Sequence, residues 1–223
     1  MLFRSTPKPI TIAIIAMGGE GGGVLADWIA DLAEHNGYLA QTTSVPGVAQ
    51  RTGSTIYYVE LFPESAATSQ GRQPVLALMP VPGEVDIVIA SELMEAGRAV
   101  QRGFVSKART SFIFSTHRVY SMPERTAAGD GRVDDSALLE ACRTSAKNVV
   151  HADFASVAET NGSVISAALF GGIAASRALP FDRSAFEESI RRGGVGVDRS
   201  LAAFTAGLEA SVTQPASQAA PVS

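Results

Sequence analysis

The apolar positions of the chain change period several times, and each change marks an element. Ile10 to Ala16 is apolar on both faces and β-branched, the pattern of a strand covered on two sides. Glycines fill five of the next available places, Gly18, Gly19, Gly21, Gly22 and Gly23, with Glu20 between them. Val24, Leu25, Trp28, Ile29 and Leu32 then recur at helical spacing, which predicts a helix from Gly23 to about Asn36 with Gly37 as its stop. Tyr38 to Ser44 and Thr55 to Leu61 read as strands joined by a polar, glycine-punctuated connection. Pro63 to Pro74 is small and polar, a loop or hairpin excursion, and Val75 to Val81 predicts an edge strand limited by Pro80 and Pro82.

Asp86 to Ala90 and Thr110 to Ser115 have the uninterrupted apolar character of parallel strands. Between them Ser91 is placed to N-cap a helix from Glu92 to Arg102, with acids early and arginines late. Met122 to Val133 reads as a loop. Asp135 or Ser136 opens a helix to about Lys147, and Val149 to His151 is a short strand. Asn161 to Ala178 predicts one helix rich in small residues, stopped by Leu179-Pro180. Asp182 and Asp198 are placed to cap two closing helices, over Arg183 to Arg192 and on to about Leu208.

The alternation of strands and helices predicts an α/β fold: a Rossmann-like three-layer domain with a mostly parallel sheet, a glycine-rich first βα turn and C-terminal helices. It spans residues 1–209. Residues 210–223 have no apolar period and read as a flexible tail or linker, the composition expected where one domain of a longer protein ends.

Composition narrows the function classes. The 223 residues carry a net charge of −4, with 46% hydrophobic and 18% charged residues. That balance suits a globular domain and speaks against a general nucleic-acid binder. All but Lys8, Lys107 and Lys147 of the 18 basic residues are arginine. Cys142 is the only cysteine, so this chain alone makes no disulfide, iron–sulfur cluster or cysteine-based zinc site. The first nine residues lack the apolar core of a leader, and no apolar run reaches membrane-spanning length; a cytoplasmic protein is expected.

The chemistry concentrates on the glycine turn. A helix N-terminus with glycines before it favours an anion, through its unpaired N–H groups and its dipole. The turn satisfies neither standard nucleotide motif. Read as G-x-G-x-x-G from Gly19, the last place falls on Val24, and Val24 and Leu25 stand where a P-loop needs Lys and Ser/Thr. The second strand also ends without the acidic residue of an NAD site. A tight turn that only brings helix and sheet together is the alternative reading. Glu20 is out of place in an anion site, because its carboxylate repels one; it can instead cap backbone N–H groups or face a partner's base.

Between the second and third strands, Gly47, Gln50, Arg51, Gly53 and Ser54 lie in a connection that an open α/β sheet can place beside the first turn. Arg51 is there a bidentate donor to phosphate or carboxylate, or else a surface ion-pair residue. His117 and His151 each follow a strand and can face one crevice, a weak pattern for a metal; His35 is expected to face solvent. Gly129-Asp130-Gly131 begins like a thiamine-diphosphate magnesium motif, but the next asparagine, Asn148, falls in an apparent strand, so it reads as a turn.

Two segments together resemble a known family. Gly18-Gly19-Glu20-Gly21, followed by Val45 to Ser54 with its Gln50-Arg51-Thr52-Gly53-Ser54, is similar to the gamma-type domain of the 2-oxoacid:ferredoxin oxidoreductases. Those usually show G-G-Q-G and G-x-A-Q-R-G-G-S. Asn161, the Gly171-Gly172 helix, Pro180 and the closing helices follow the same layout, so the likeness covers about residues 10 to 209. Thr116 to Tyr120 and Gly129 to Gly131 look most like the small (beta) subunit of indolepyruvate oxidoreductase. Glu20 departs from the usual Gln, and Thr52 from the first Gly of the pair.

The resemblance implies an enzyme that decarboxylates a 2-oxoacid on thiamine diphosphate, passes electrons through iron–sulfur clusters to ferredoxin, and releases an acyl-CoA. This chain would be a subunit or domain without a complete active site, working with a large thiamine and iron–sulfur subunit, and able to form a homodimer when isolated. Its cofactor-facing residues would be Gly18, Gly19, Glu20, Gly21, Gly22, Gly47, Gln50, Arg51, Gly53, Ser54 and Asn161, with coenzyme A phosphates among the ligands they meet. Two other readings stay open: a stand-alone small-ligand or nucleotide-binding module, and a non-catalytic assembly subunit.

Overall fold

The computed structural model describes residues 8–46, 54–70, 74–119 and 134–215. Seven strands form one sheet: β1 (Ile10–Met17), β2 (Tyr38–Pro46), β3 (Ser54–Pro63), β4 (Ile87–Ala90), β5 (Ser111–Ser115), β6 (Asn148–Ala152) and β7 (Val212–Pro215). Their order is β2-β3-β1-β4-β5-β6-β7. β1, β4, β5 and β6 are neighbours and parallel, while β3 and β7 run against them. β2 is antiparallel to β3 and so shares the direction of β1, which leaves the sheet mostly parallel, as expected.

Eight helices are described: α1 (Gly22–Glu34), α2 (Glu64–Gln70), α3 (Leu93–Gln101), α4 (Asp135–Thr144), α5 (Phe154–Thr160), α6 (Ile165–Ser176), α7 (Arg183–Gly193) and α8 (Val197–Ala210). They cover both faces of the sheet, which is why the parallel strands are apolar throughout. On one face Ile12, Ile14, Ile87, Ile89 and Ile113 meet Leu25, Ile29 and Leu32 of α1, Phe170 of α6, Phe186 of α7 and Phe204 of α8. On the other, Ala13, Ile15, Val88, Phe112 and Phe114 meet Leu93, Ala96 and Ala99 of α3 with Cys142 of α4. Each of these side chains is almost wholly buried, and each of the larger ones contributes about 1.5–3 kcal/mol on transfer from water.

Small residues on α6 serve close packing. A Cβ at Gly171 would stand 2.2 Å from the Phe204 carbonyl oxygen, and one at Gly207 would stand 2.3 Å from that of Ala168. α6 and α8 therefore touch backbone to backbone, and Phe170 fills the space beside them against Trp28, Phe186 and Phe204 at centroid distances of 5.6, 4.8 and 6.0 Å.

Several expectations are corrected. The helix expected over Asn161 to Ala178 is shorter, α6 alone, because Asn161 ends the separate helix α5 and Gly162, at φ +60°, stands between the two. Part of the polar excursion after Pro63 is helix α2. Val75 to Val81 forms no ladder; side chains tether it instead, with Gln41 donating to the Ala77 carbonyl, Thr43 to that of Leu78, and the Ala77 N–H to Glu60. Pro74, Pro80 and Pro82 remove the donors a ladder needs. Gly196, not Asp198, caps α8, and Asp198 lies in its first turn. Val212 to Pro215, from the expected tail, adds β7 beside β6.

Candidate functional site

β1 and β4 are parallel neighbours whose following helices leave on opposite faces, α1 to one core and α3 to the other. The chain direction reverses across the sheet at that boundary, and the crevice above the carboxyl ends of such strands is where α/β domains bind ligands. The glycine turn stands on the β1 side. Gly18 and Gly19 are exposed, Gly19 at φ +89°, and the Glu20 N–H bonds the Met17 carbonyl at 3.1 Å. Gly21 caps α1 at φ +70° without any side-chain cap. Gly22 meets a packing need: a Cβ there would stand 2.6 Å from both the Ala16 Cβ and the Tyr57 ring. The turn is thus partly the plain helix-to-sheet contact weighed above, and partly an open edge.

Glu20 turns back over that edge. Its Oε2 accepts from the Met17 N–H at 3.3 Å and from the Ser91 hydroxyl, and its Oε1 lies 3.4 Å from His117 Nε2. Ser91 itself accepts from the Met17 N–H at 3.2 Å. The loops after β1, β4 and β5 therefore meet on one carboxylate. Burial alone would push its pKa up, but the His117, Ser91 and Met17 donors outweigh it and hold the carboxyl below its ordinary value. Ser115 holds the His117 ring from its other side. Ser115 Oγ accepts from the Phe154 N–H at 3.0 Å and lies 2.8 Å from His117 Nδ1.

Two further carboxylates stand behind this edge. Glu92, fully buried, caps α3 by accepting from Met94 at 3.0 Å and Glu95 at 2.8 Å, and reaches the Val119 N–H at 3.4 Å. The cap expected at Ser91 is thus made by Glu92, because the Ser91 hydroxyl is drawn to Glu20. Glu95, also fully buried, pairs Oε1 with Arg98 and bonds Ser54, while its Oε2 has no hydrogen-bond partner. Burial pushes its carboxyl up from the ordinary value. Beside them Arg118, 7% exposed, pairs with Asp135 at 2.8 Å.

Of the residues predicted to face a cofactor, Gly18 to Gly22 and Ser54 share this edge, since Met17 pairs with Ser54 at the ends of β1 and β3. Gly47, Gln50, Arg51 and Gly53 lie outside the described residues, as do Gly129 to Gly131. The segment that holds the first four starts after Pro46, on β2, and ends before Ser54, which pairs with Met17 just before the glycine turn. Asn161 is elsewhere. It ends α5, where its Nδ2 donates to the Val157 carbonyl at 2.8 Å. Its neighbour Gly162 lines a cavity of about 720 Å³ with Trp28, Val164, Gly196 and Arg199.

His117 and His151 do not share a crevice. His151 stacks on Phe114 at 5.6 Å, and burial, with Arg143 nearby, lowers its pKa. His35 is 53% exposed and bonded to Asp31. Cys142 is fully buried and its thiol is pushed up to about 12 by that burial, which does not suit an iron–sulfur ligand. Ser91, Glu92 and Glu95 were not singled out from sequence as site residues. Two acids three residues apart, directly after the apolar Asp86 to Ala90 run, were the available signal.

Comparisons with known proteins bear on the family and the fold. The family model described as pyruvate ferredoxin/flavodoxin oxidoreductase matches residues 11–210. No curated protein matches. Among solved structures, the chain is similar to pyruvate oxidoreductase subunit PORC from Thermotoga maritima, at 14% identity and a TM-score of 0.62, over 93% of this chain and 99% of that one. It is similar to the gamma subunit of a keto/oxoacid ferredoxin oxidoreductase from Geobacter sulfurreducens, at 13% and 0.57, over 89% and 96%. The 2-oxoglutarate:ferredoxin oxidoreductase from Magnetococcus marinus, solved with 2-oxoglutarate, coenzyme A and succinyl-CoA, matches at 16% and 0.56, over 91% of this chain but 31% of that one. With its fold shared and all but the ends of its sequence matched, the chain belongs to the pyruvate ferredoxin/flavodoxin oxidoreductase family.

Proposed function

We propose that this chain is a subunit or domain of an aryl 2-oxoacid:ferredoxin oxidoreductase acting on indolepyruvate, and that it contributes to oxidative decarboxylation without being catalytic alone. Family membership carries the reading. The likeness of Thr116 to Tyr120 to the small subunit of indolepyruvate oxidoreductase supports the aryl substrate, and His117 of that segment belongs to the Glu20 network.

The division of labour rests on donor chemistry. The only thiol is buried and held protonated, so these residues do not fit an iron–sulfur cluster. Thiamine diphosphate and the clusters belong to a large partner subunit, which passes electrons on to ferredoxin. The contribution of this chain is an edge made of the glycine turn, Ser54 and the segment carrying Gln50 and Arg51. In the assembly that edge faces the partner's cofactor or coenzyme A, with Arg51 as the cationic donor.

Capture of the partner from the native cell extract, followed by assay of the complex against several aryl and branched 2-oxoacids, tests this. Indolepyruvate should reduce ferredoxin with the complex, and the chain alone should turn over nothing. Turnover by the chain alone with an artificial acceptor would end the proposal, and a preference for branched 2-oxoacids would end its aryl part.

A further inference from the structure

The polar groups above β1, β4 and β5 form what a bound anion needs, and the chain fills that place itself. The Met17 N–H, the Ser91 hydroxyl and the His117 ring at Nε2 converge on one carboxylate, from the loops of three adjacent strands. The Met17 N–H and the Ser91 hydroxyl donate to it, with His117 Nε2 3.4 Å away. The Glu20 side chain is 18% exposed and that of His117 17%, so the group is largely removed from water yet reachable. Glu20 sits on the same four-residue turn as Gly18, Gly19 and Gly21, immediately ahead of α1, whose N-terminus has no side-chain cap.

We propose that Glu20 is a specificity-determining residue: a built-in competitor that makes the glycine turn refuse phosphate, so that the partner or ligand group meeting the turn is neutral or cationic. The argument is one of local concentration. A carboxylate two residues from the helix start is tethered at an effective concentration of millimolar or more, and a free anion must displace it from its donors. A phosphate that left it in place would sit beside a like charge in a poorly solvated crevice. This rests on the proposed function only in treating the turn as the contact edge. The phosphates of coenzyme A then belong to another part of that edge.

Titration calorimetry with inorganic pyrophosphate on the full chain tests the competitor directly and needs no partner subunit. Glu20→Gln keeps an acceptor for Met17 and Ser91 but loses the charge. It should bind pyrophosphate at least tenfold more tightly than wild type. Equal affinity in the two proteins overturns the proposal, as does tight binding by wild type. If Glu20→Gln does not fold, the wild-type His117 ring nitrogen resonances decide. They should stay in place through millimolar pyrophosphate, and a shift showing displacement of Glu20 would refute the inference. Failure of the oxidoreductase reading would show instead in the assay of the complex, which this titration does not touch.

Discussion

Two polar networks finish opposite ends of the same three strands, and they are built differently. At the amino ends of β1, β4 and β5, Asp86 accepts from the Thr11 N–H and hydroxyl, both at 3.0 Å, and from Arg109 Nε at 2.6 Å and Nη2 at 3.1 Å. Arg109 also reaches Glu84 at 2.8 Å, and the Thr11 hydroxyl reaches the Glu84 carbonyl at 3.0 Å. Opposite charges meet there and the donors are used. At the carboxyl ends the acids gather instead. Glu20 is met by a backbone N–H, a hydroxyl and a histidine ring, and Glu95 Oε2 and the Ser166 hydroxyl are buried without partners. Such orphaned groups cost stability, so an edge that keeps them is shaped by something other than folding. The amino end is a structural clasp, and the carboxyl end is where function is expected.

The strongest way to break this contrast is to open the clasp. Asp86→Ala leaves Arg109 with Glu84 alone and the Thr11 N–H without its carboxylate; it should lower unfolding free energy by about 2 kcal/mol in urea, with no loss of activity per folded complex. Next, Gly22→Ala drives a methyl into Ala16 and Tyr57 and should cost about 2 kcal/mol. Retention of full stability there would mean that the turn is looser than its packing indicates.

Acid titration reads one acid of each network, with Asp31, which pairs with Arg192 away from both. Hydrogen bonds and ion pairs hold Asp86, Asp31 and Glu20 below their ordinary values of 3.8, 3.8 and 4.5 despite partial burial. Depressed folded values add stability above the ordinary values, and that stability is lost as pH falls through the folded ones. The melting temperature should therefore change little from these groups between about pH 7 and 5, and fall below about pH 4.5. Asp86→Asn should flatten that fall. The smallest effect is expected from Ser166→Ala: its hydroxyl has no partner to lose, so stability should stay within about 0.5 kcal/mol of wild type or rise slightly.

What could be read from the sequence follows from what is local. The β1 run and the α1 spacing were legible because burial on two faces and on one helical face writes itself into apolar period. Asp182 was legible as a cap, accepting from the Ala185 N–H at 2.9 Å, because capping is a matter of neighbouring residues. Ser91 was misplaced as a cap since its hydroxyl is claimed by Glu20, a residue 71 positions away. The place of β3 between β1 and β2 was not legible either, since apolar pattern gives strands and not their order. At the site the glycine turn was plain. The meeting of Glu20, Ser91 and His117 needs the strand order to be seen, and so did not show. Glu20 itself stood out only as the residue that fitted the turn least, and the structure gives its reason: it bonds the Met17 N–H, one of the backbone groups it was thought able to cap.

The proposed function is tested most directly by the oxoacid-dependent ferredoxin reduction of the reconstituted complex, carrying Arg51→Ala in this chain. Assembly of the complex should be intact, and kcat/KM should fall at least tenfold, about 1.4 kcal/mol of lost transition-state stabilisation. Unchanged kcat/KM in a fully assembled complex would contradict the account and leave the chain an assembly subunit.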